Sequence, residues 1–223
     1  LDITKYTRQS LPFGRDCVYT GTLAVIRKRN RYKMKILIKL LLVTVLISCG
    51  KDEDILSDNS IGENVSILVH PRQTDANYST TDKSHFIVRN TKNHLNKLML
   101  FIGGSFSSPQ DYTFISEHSA SIGFDVISIS YPNNVPAASL ASSSNQFAFD
   151  NYRDEICFGN QVSNDVEVDI LNSINRRIIK LIQYLESTYP EQNWNQYLMP
   201  SNNIDWEKIV VAGHSQGAGH ACY

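Results

Sequence analysis

Cysteine is scarce and scattered in this chain of 223 residues. Cys17, Cys49, Cys157 and Cys222 are its four thiols, and no two stand at the spacing of a zinc site. Cys157 can pair with Cys222 or with a thiol outside this sequence, and spacing does not choose between them. Positive charge is thin after residue 50, where 11 Lys and Arg face 20 Asp and Glu for a net charge of −9. A body of that sign has no basic stripe to follow a phosphate backbone, so nucleic acid is not an expected partner. A glycine-rich phosphate loop is also missing, and with no metal-ligand cluster the sequence implies no cofactor. No apolar run is long enough to cross a bilayer as a helix. The best, Ile36 to Ile47, is interrupted by Lys39 and falls well short of the roughly 20 residues a span needs. What is present, 42% hydrophobic and 10% aromatic residues, suits a globular domain rather than a disordered chain.

That short apolar run has a different meaning. Met34 to Gly50 reads MKILIKLLLVTVLISCG: a positive start at Lys35 and Lys39, an apolar stretch, then Leu46-Ile47-Ser48-Cys49. Positive, apolar and small-residue parts in that order are the layout of an export signal. The last four residues resemble a bacterial lipobox, which implies that Cys49 is lipidated and becomes the first residue of the mature protein. The resemblance implies an exported protein held to the bacterial cell envelope, at the outer membrane or cell surface, through an anchor at Cys49. One acyl chain binds a membrane only marginally, so a stable anchor needs more than one. Met34 is then the expected initiator. Residues 1–33, with eight Lys and Arg, are expected to be an upstream extension foreign to the mature protein, the alternative being a genuine basic arm. Residues 34–49 are the signal, and residues 50–64, opening on Gly50-Lys51-Asp52-Glu53-Asp54, are a charged tether.

From residue 65 to 223 the pattern is that of one domain. Early strands are expected near Val65–Val69 and Phe86–Arg89. KLMLFIGG (Lys97–Gly104) and FDVISISYP (Phe124–Pro132) are continuous apolar runs of the length of buried parallel strands. Between them Tyr112, Phe114, Ile115, His118 and Ile122 recur at helical spacing, with Gly123 at the helix end. Residues 133–163 form a long Ser/Ala/Asn-rich excursion, cap-like, in which Phe147, Phe149, Tyr152, Ile156 and Phe158 argue for partial packing. A helix is expected from an Asn164 N-cap, with Asp165, Glu167 and Asp169 at its positive end and Val166, Ile170, Ile174, Ile178, Leu181 and Leu185 on one stripe. KIVVA (Lys208–Ala212) is a further strand, with a helix starting at Gln216. The alternation predicts an α/β fold: a doubly wound, mostly parallel sheet with helices on both faces.

The strand KIVVA runs straight into Gly213-His214-Ser215-Gln216-Gly217. A serine displayed at a strand's end needs a turn so tight that small residues must flank it, and Gly213 and Gly217 sit two before and two after Ser215. The following helix N-terminus favours developing negative charge. Together LFIGGS, VISISYP and VVAGHSQGAGH resemble the first half of an α/β-hydrolase, over about residues 97–223, with G-H-S-Q-G-x-G-H similar to a secreted bacterial esterase-like subgroup. The resemblance implies that Ser215 is the nucleophile. It also implies that backbone N–H groups of Gln216 and of the loop after LMLFIGG, Ser105 first with Gly104 or Phe106 as alternatives, bind the oxyanion.

In that family the acid and then the histidine follow the serine in sequence. His214 lies inside the turn, His220 on the helix beyond it, and His70, His85, His94 and His118 are surface or packing residues. The expectation is therefore that the chain is C-terminally truncated, without its acid and base, and inactive as it stands. The expected function is a serine hydrolase of carboxylic esters, less so amides, with a small-molecule or lipid ester substrate. The rivals are a non-catalytic cell-surface binding lipoprotein on the same fold and an acyltransferase. Oligomeric state is open.

Overall fold

The computed structural model describes residues 62–223. The readings made for residues 1–61, including the signal, the lipidation of Cys49 and most of the tether, lie outside the described residues. Five strands form one sheet: β1 (Asn64–Val69), β2 (His85–Asn90), β3 (Leu98–Ile102), β4 (Asp125–Ile129) and β5 (Ile209–Gly213), in the order β1-β2-β4-β3-β5. β3 runs parallel to both β4 and β5, with Ile102 level with Ile129 and Gly213 at the carboxyl end. β2 is antiparallel to β1 and to β4. The sheet is thus mixed, and the expected parallel order is confined to β4, β3 and β5. The reason lies in the connections. A parallel crossover needs a dozen or more residues and usually a full helix. Between β1 and β2 there is one helical turn, α1 (Pro71–Thr74), and between β2 and β3 only residues 91–97.

Both faces carry helices. Leu98, Leu100 and Ile102 of β3 point to one face, with Ile87, Ile127 and Ile129, while Met99 and Phe101 point to the other with Phe86, Val88 and Val126. Every residue of β3 and β4 is buried, which is why β3 reads as an unbroken apolar run and β4 as one broken only by Asp125 and Ser128. The second face is covered by α2 (Thr113–Ser121), through Ala120. The first receives α3 (Ala148–Phe158), α4 (Ile174–Thr188) and the loop aromatics Trp194 and Tyr197. The last helix, α5 (Gln216–Ala221), packs on that face through Ala221.

The helix expected from an Asn164 N-cap begins nine residues later. Ser173 is the N-cap of α4, its side chain accepting from Arg176 N–H. Glu155, buried on α3, takes the Ser163 and Val168 N–H groups on its two carboxylate oxygens at 2.7 and 2.9 Å. Those amides are thereby committed to a side chain on another helix and cannot start a helical ladder. The apolar stripe is correct from Ile174 on, but Ile170 is 65% exposed.

Arg177 of α4 is fully buried and has carbonyls rather than a carboxylate around it. Its Nε donates to Asn172 O at 2.9 Å, Nη1 to Ser130 O at 3.3 Å, and Nη2 to Thr80 O at 2.8 Å, with the Tyr78 ring 4.5 Å away. Burial pulls its pKa down to about 10, so it stays charged at neutral pH. It staples the chain after β4 and the chain before β2 onto α4. Arg177→Met strands three carbonyls at about 1–3 kcal/mol each, offset by no longer burying a charge. The expected net loss is about 3 kcal/mol, or roughly 10 °C in a thermal melt.

Candidate functional site

The carboxyl end of β5 turns into α5 through Gly213, His214 and Ser215. Ser215 has φ 54° and ψ −120°, a region that side-chain-bearing residues avoid and that costs on the order of 1–3 kcal/mol. The backbone around it is held at both ends. His214 N–H donates to Ile102 O at 3.0 Å, Gly217 N–H to His214 O at 2.9 Å, and Ala218 N–H to Ser215 O at 3.1 Å. The two flanking glycines are steric necessities of this turn. A β-carbon on Gly213 would lie 2.5 Å from the Gly217 carbonyl and 2.7 Å from Ala218 N, and one on Gly217 would overlap the carbonyl oxygens of Ile102, at the end of β3, and of Gly103 just after it. Ser215 itself is exposed, and its hydroxyl has no hydrogen-bond partner among the described residues.

The loop after β3 lies against it. A methyl on Gly104 would sit 3.2 Å from Ser215 Cβ and 3.3 Å from His214 Nδ1. The amide groups of this loop can be accounted for one by one. Gly104 N–H donates to Tyr112 Oη at 2.9 Å, Phe106 N–H to Asn133 O at 2.9 Å, Ser107 N–H to Gly104 O at 3.3 Å, and Ser108 N–H to Asp111 Oδ2 at 2.8 Å. Ser105 N–H has no acceptor among the described residues, and neither has Gln216 N–H at the start of α5. Of the loop amides weighed from the sequence, Gly104 and Phe106 are therefore occupied and Ser105 is free. The Ser105 hydroxyl donates to Gln216 Oε1 at 2.7 Å, and the same oxygen accepts from Ala137 N–H at 3.1 Å. The buried Gln216 side chain so ties the turn to the β3 loop and to the 133–163 excursion.

The histidines separate clearly. His214 turns to Tyr112, whose hydroxyl is 3.1 Å from Nδ1; since that hydroxyl accepts from Gly104, its own proton is available to the imidazole. His220 is buried, with Nδ1 3.6 Å from Cys157 Sγ and its ring stacked on Tyr152. His85 accepts Ser130 N–H on Nδ1, His70 caps α1, His118 is exposed on α2, and His94 lies 3.8 Å from Asp125 at the amino end of β4. With five residues per strand, that end is about 13 Å from the carboxyl end where Ser215 sits. No histidine or carboxylate among the described residues hydrogen-bonds Ser215. Cys157 and Cys222 are both free thiols, and burial pushes Cys157 up to about 12.

Burial, aided by a nearby Arg cation in each case (Arg177 and Arg153), holds His85 and His220 down at about 3, from an ordinary 6.5. Both stay neutral in the folded chain where the unfolded chain is protonated. Their contribution to stability is full above pH 6.5 and is lost progressively as pH falls toward 3. The expected slope between pH 6.5 and 4.5 is about 1 kcal/mol per pH unit for each histidine. His85→Gln keeps an acceptor for Ser130 and should remove about half of that slope in denaturant titrations.

The 133–163 excursion is largely packed: Leu140, Ala148, Tyr152 and Ile156 are buried, leaving Phe147 and Phe149 exposed. A cleft of about 660 Å³ opens beside it, between Asn134, Val135 and Glu155 and the acidic segment carrying Asp165 and Glu167. Among the described residues no group of three His, Cys, Asp or Glu side chains could hold a metal ion, and no helix is long and apolar enough to cross a membrane. The sequence pointed to Ser215, its glycines, Gln216 and Ser105. It held no signal for Tyr112, Asn133 or the Gln216 side chain as parts of the same site. No family model matches the chain, and no curated protein matches it.

Proposed function

We propose that this chain carries the nucleophile, oxyanion loop and sheet of a serine hydrolase of the α/β-hydrolase type, acting on carboxylic esters outside the cytoplasm from a lipid anchor at Cys49. The observation that carries the reading is the pairing of a strained, exposed serine with two uncommitted amides. Ser215 holds φ 54°, and Ser105 and Gln216 keep their N–H groups free in a loop and turn where the neighbouring amides are bonded. Strain of that kind persists where surrounding structure enforces it, and it gathers at functional sites. The position of the loop after β3 also agrees with the family's second oxyanion donor.

In the proposed reaction a base takes the Ser215 proton and Oγ attacks the ester carbonyl. The negative charge moves to the carbonyl oxygen, which accepts from Ser105 and Gln216 N–H, each worth about 3–4 kcal/mol in the transition state. Collapse of the intermediate breaks the ester C–O bond, the base hands the proton to the departing alcohol, and an acyl group stays on Ser215; water then attacks it, losing a proton to the base, and that proton passes to Ser215 Oγ as the carboxylic acid leaves. The base is required from outside the described residues. Its lack among them is also what keeps a second reading in view, a binding lipoprotein that retains the fold.

The test is covalent labelling of the native gene product with a fluorophosphonate, followed by peptide mapping, together with a burst assay on p-nitrophenyl esters. The label is expected on Ser215, and Ser215→Ala is expected to abolish it. A protein that hydrolyses no p-nitrophenyl ester and takes no label on Ser215 overturns the hydrolase reading.

A further inference from the structure

We propose that Asn133 is the positioning residue that aims the Ser105 amide, a role that rests on the serine-hydrolase reading of Ser215. Asn133 lies beyond the end of β4 and is 6% exposed. Its Nδ2 donates to Gly104 O at 2.8 Å and to Ser107 O at 2.9 Å, and its main-chain oxygen accepts from Phe106 N–H at 2.9 Å. Its Oδ1 accepts from Lys83 Nζ at 3.0 Å, and the same ammonium donates to Phe106 O at 3.0 Å. One side chain and its own carbonyl thus occupy both ends and the middle of the loop.

The consequence for Ser105 follows from peptide geometry. The Gly104 carbonyl and the Ser105 N–H belong to one planar trans unit, so they point in opposite directions. Gly104 O is gripped by Asn133 Nδ2 at 2.8 Å, with Ser107 Oγ at 2.8 Å and Ser107 N at 3.3 Å beside it. Holding that oxygen toward Asn133 turns the Ser105 N–H away from Asn133. The adjoining Phe106 sits at φ 62°, unusual for a bulky residue, and both of its backbone polar groups are held by the same pair, Asn133 and Lys83. An asparagine is specifically required. Aspartate has no donor for the two carbonyls, alanine leaves Ser107 O bare and Gly104 O to the Ser107 donors alone, and glutamine is one methylene too long for a site this buried.

The experiment compares kcat and KM for a p-nitrophenyl ester, and the rate of Ser215 labelling, in the native gene product and in Asn133→Asp. Losing a well-aimed oxyanion donor is expected to lower kcat about 100-fold with KM changed less than threefold. Leu185→Ala, which leaves a cavity in the core under α4 away from this loop, should lower the melting point without lowering kcat. Lys83→Met, which frees Oδ1 while keeping both Nδ2 donors, should give a milder loss of about tenfold in kcat. It decides the matter if Asn133→Asp does not fold. Wild-type kcat in Asn133→Asp, or in Lys83→Met should that be the only folded variant, overturns the positioning role and leaves the serine reading intact. A native protein without esterase activity or label on Ser215 overturns both.

Discussion

On the hydrolase reading proposed above, Ser215→Gly in the native gene product is expected to lower ester hydrolysis by about five to six orders of magnitude while leaving the protein as stable as before or slightly more so. The first part follows from loss of the attacking oxygen, since removing a nucleophile from a serine hydrolase forfeits nearly all of its covalent catalysis. The second follows from φ 54° and ψ −120°, which glycine adopts freely and serine does not. Relief of on the order of 1–3 kcal/mol of backbone strain is set against roughly 0.5–1 kcal/mol for the added freedom of glycine in the unfolded chain. Ser215→Ala separates the two effects: it is equally inactive but keeps the β-carbon and hence the strain. The glycine variant should therefore melt a few degrees above the alanine variant, at about 2–4 °C per kcal/mol for a chain of this size. Equal melting points would mean that the turn is relaxed, and the functional argument from strain would fall with it.

Gly217→Ala is expected to be among the most damaging single-methyl additions in the chain. The new carbon overlaps the carbonyl oxygens of Ile102, at the end of β3, and of Gly103 just after it, so it meets backbone rather than a side chain that can swing away. Either α5 lifts off β3 or β3 bends, and both move Ser215 relative to the Ser105 amide. Overpacking a rigid contact costs on the order of 3 kcal/mol, equivalent to a melting point lowered by roughly 10 °C, and activity should vanish with it. Gly219, two residues along the same helix, supplies the contrast. A methyl there meets only the Arg153 guanidinium, Nε at 3.1 Å and Nη2 at 3.3 Å. That side chain is long and adjustable, and alanine is the better helix former by up to 1 kcal/mol. Gly219→Ala should leave both stability and activity near wild type. Thermal melts of the two variants, run side by side, distinguish a requirement for glycine from a mere preference.

How much of this was legible depended on how far apart the interacting residues are. The five strands were readable because each carries its own apolar signature, and the alternation between them was enough to place Ser215 at a strand's end. The start of α4 was not, because the stripe Val166, Ile170, Ile174 continues through residues whose amides are captured by Glu155. The direction of β2 escaped too. Nothing in FIVR says which way it runs, and the short connection through residues 91–97 decides it. Tyr112 lies 102 residues from His214, and Asn133 lies 50 from Lys83, so no local pattern announces either contact.

By itself the sequence determined what a short stretch can hold: a serine between two glycines after an apolar strand, at the start of a helix. Periodicity and side-chain size are properties of neighbouring residues, and they survive in the string. Only the tertiary structure decided which amide of the loop after β3 stays unpaired, since that depends on the hydrogen bonds made by every other group in the loop. Buried polar groups must find partners, and the partners come from wherever the chain happens to return. Ser105 is left free because Tyr112, Asn133 and Asp111 have taken its neighbours.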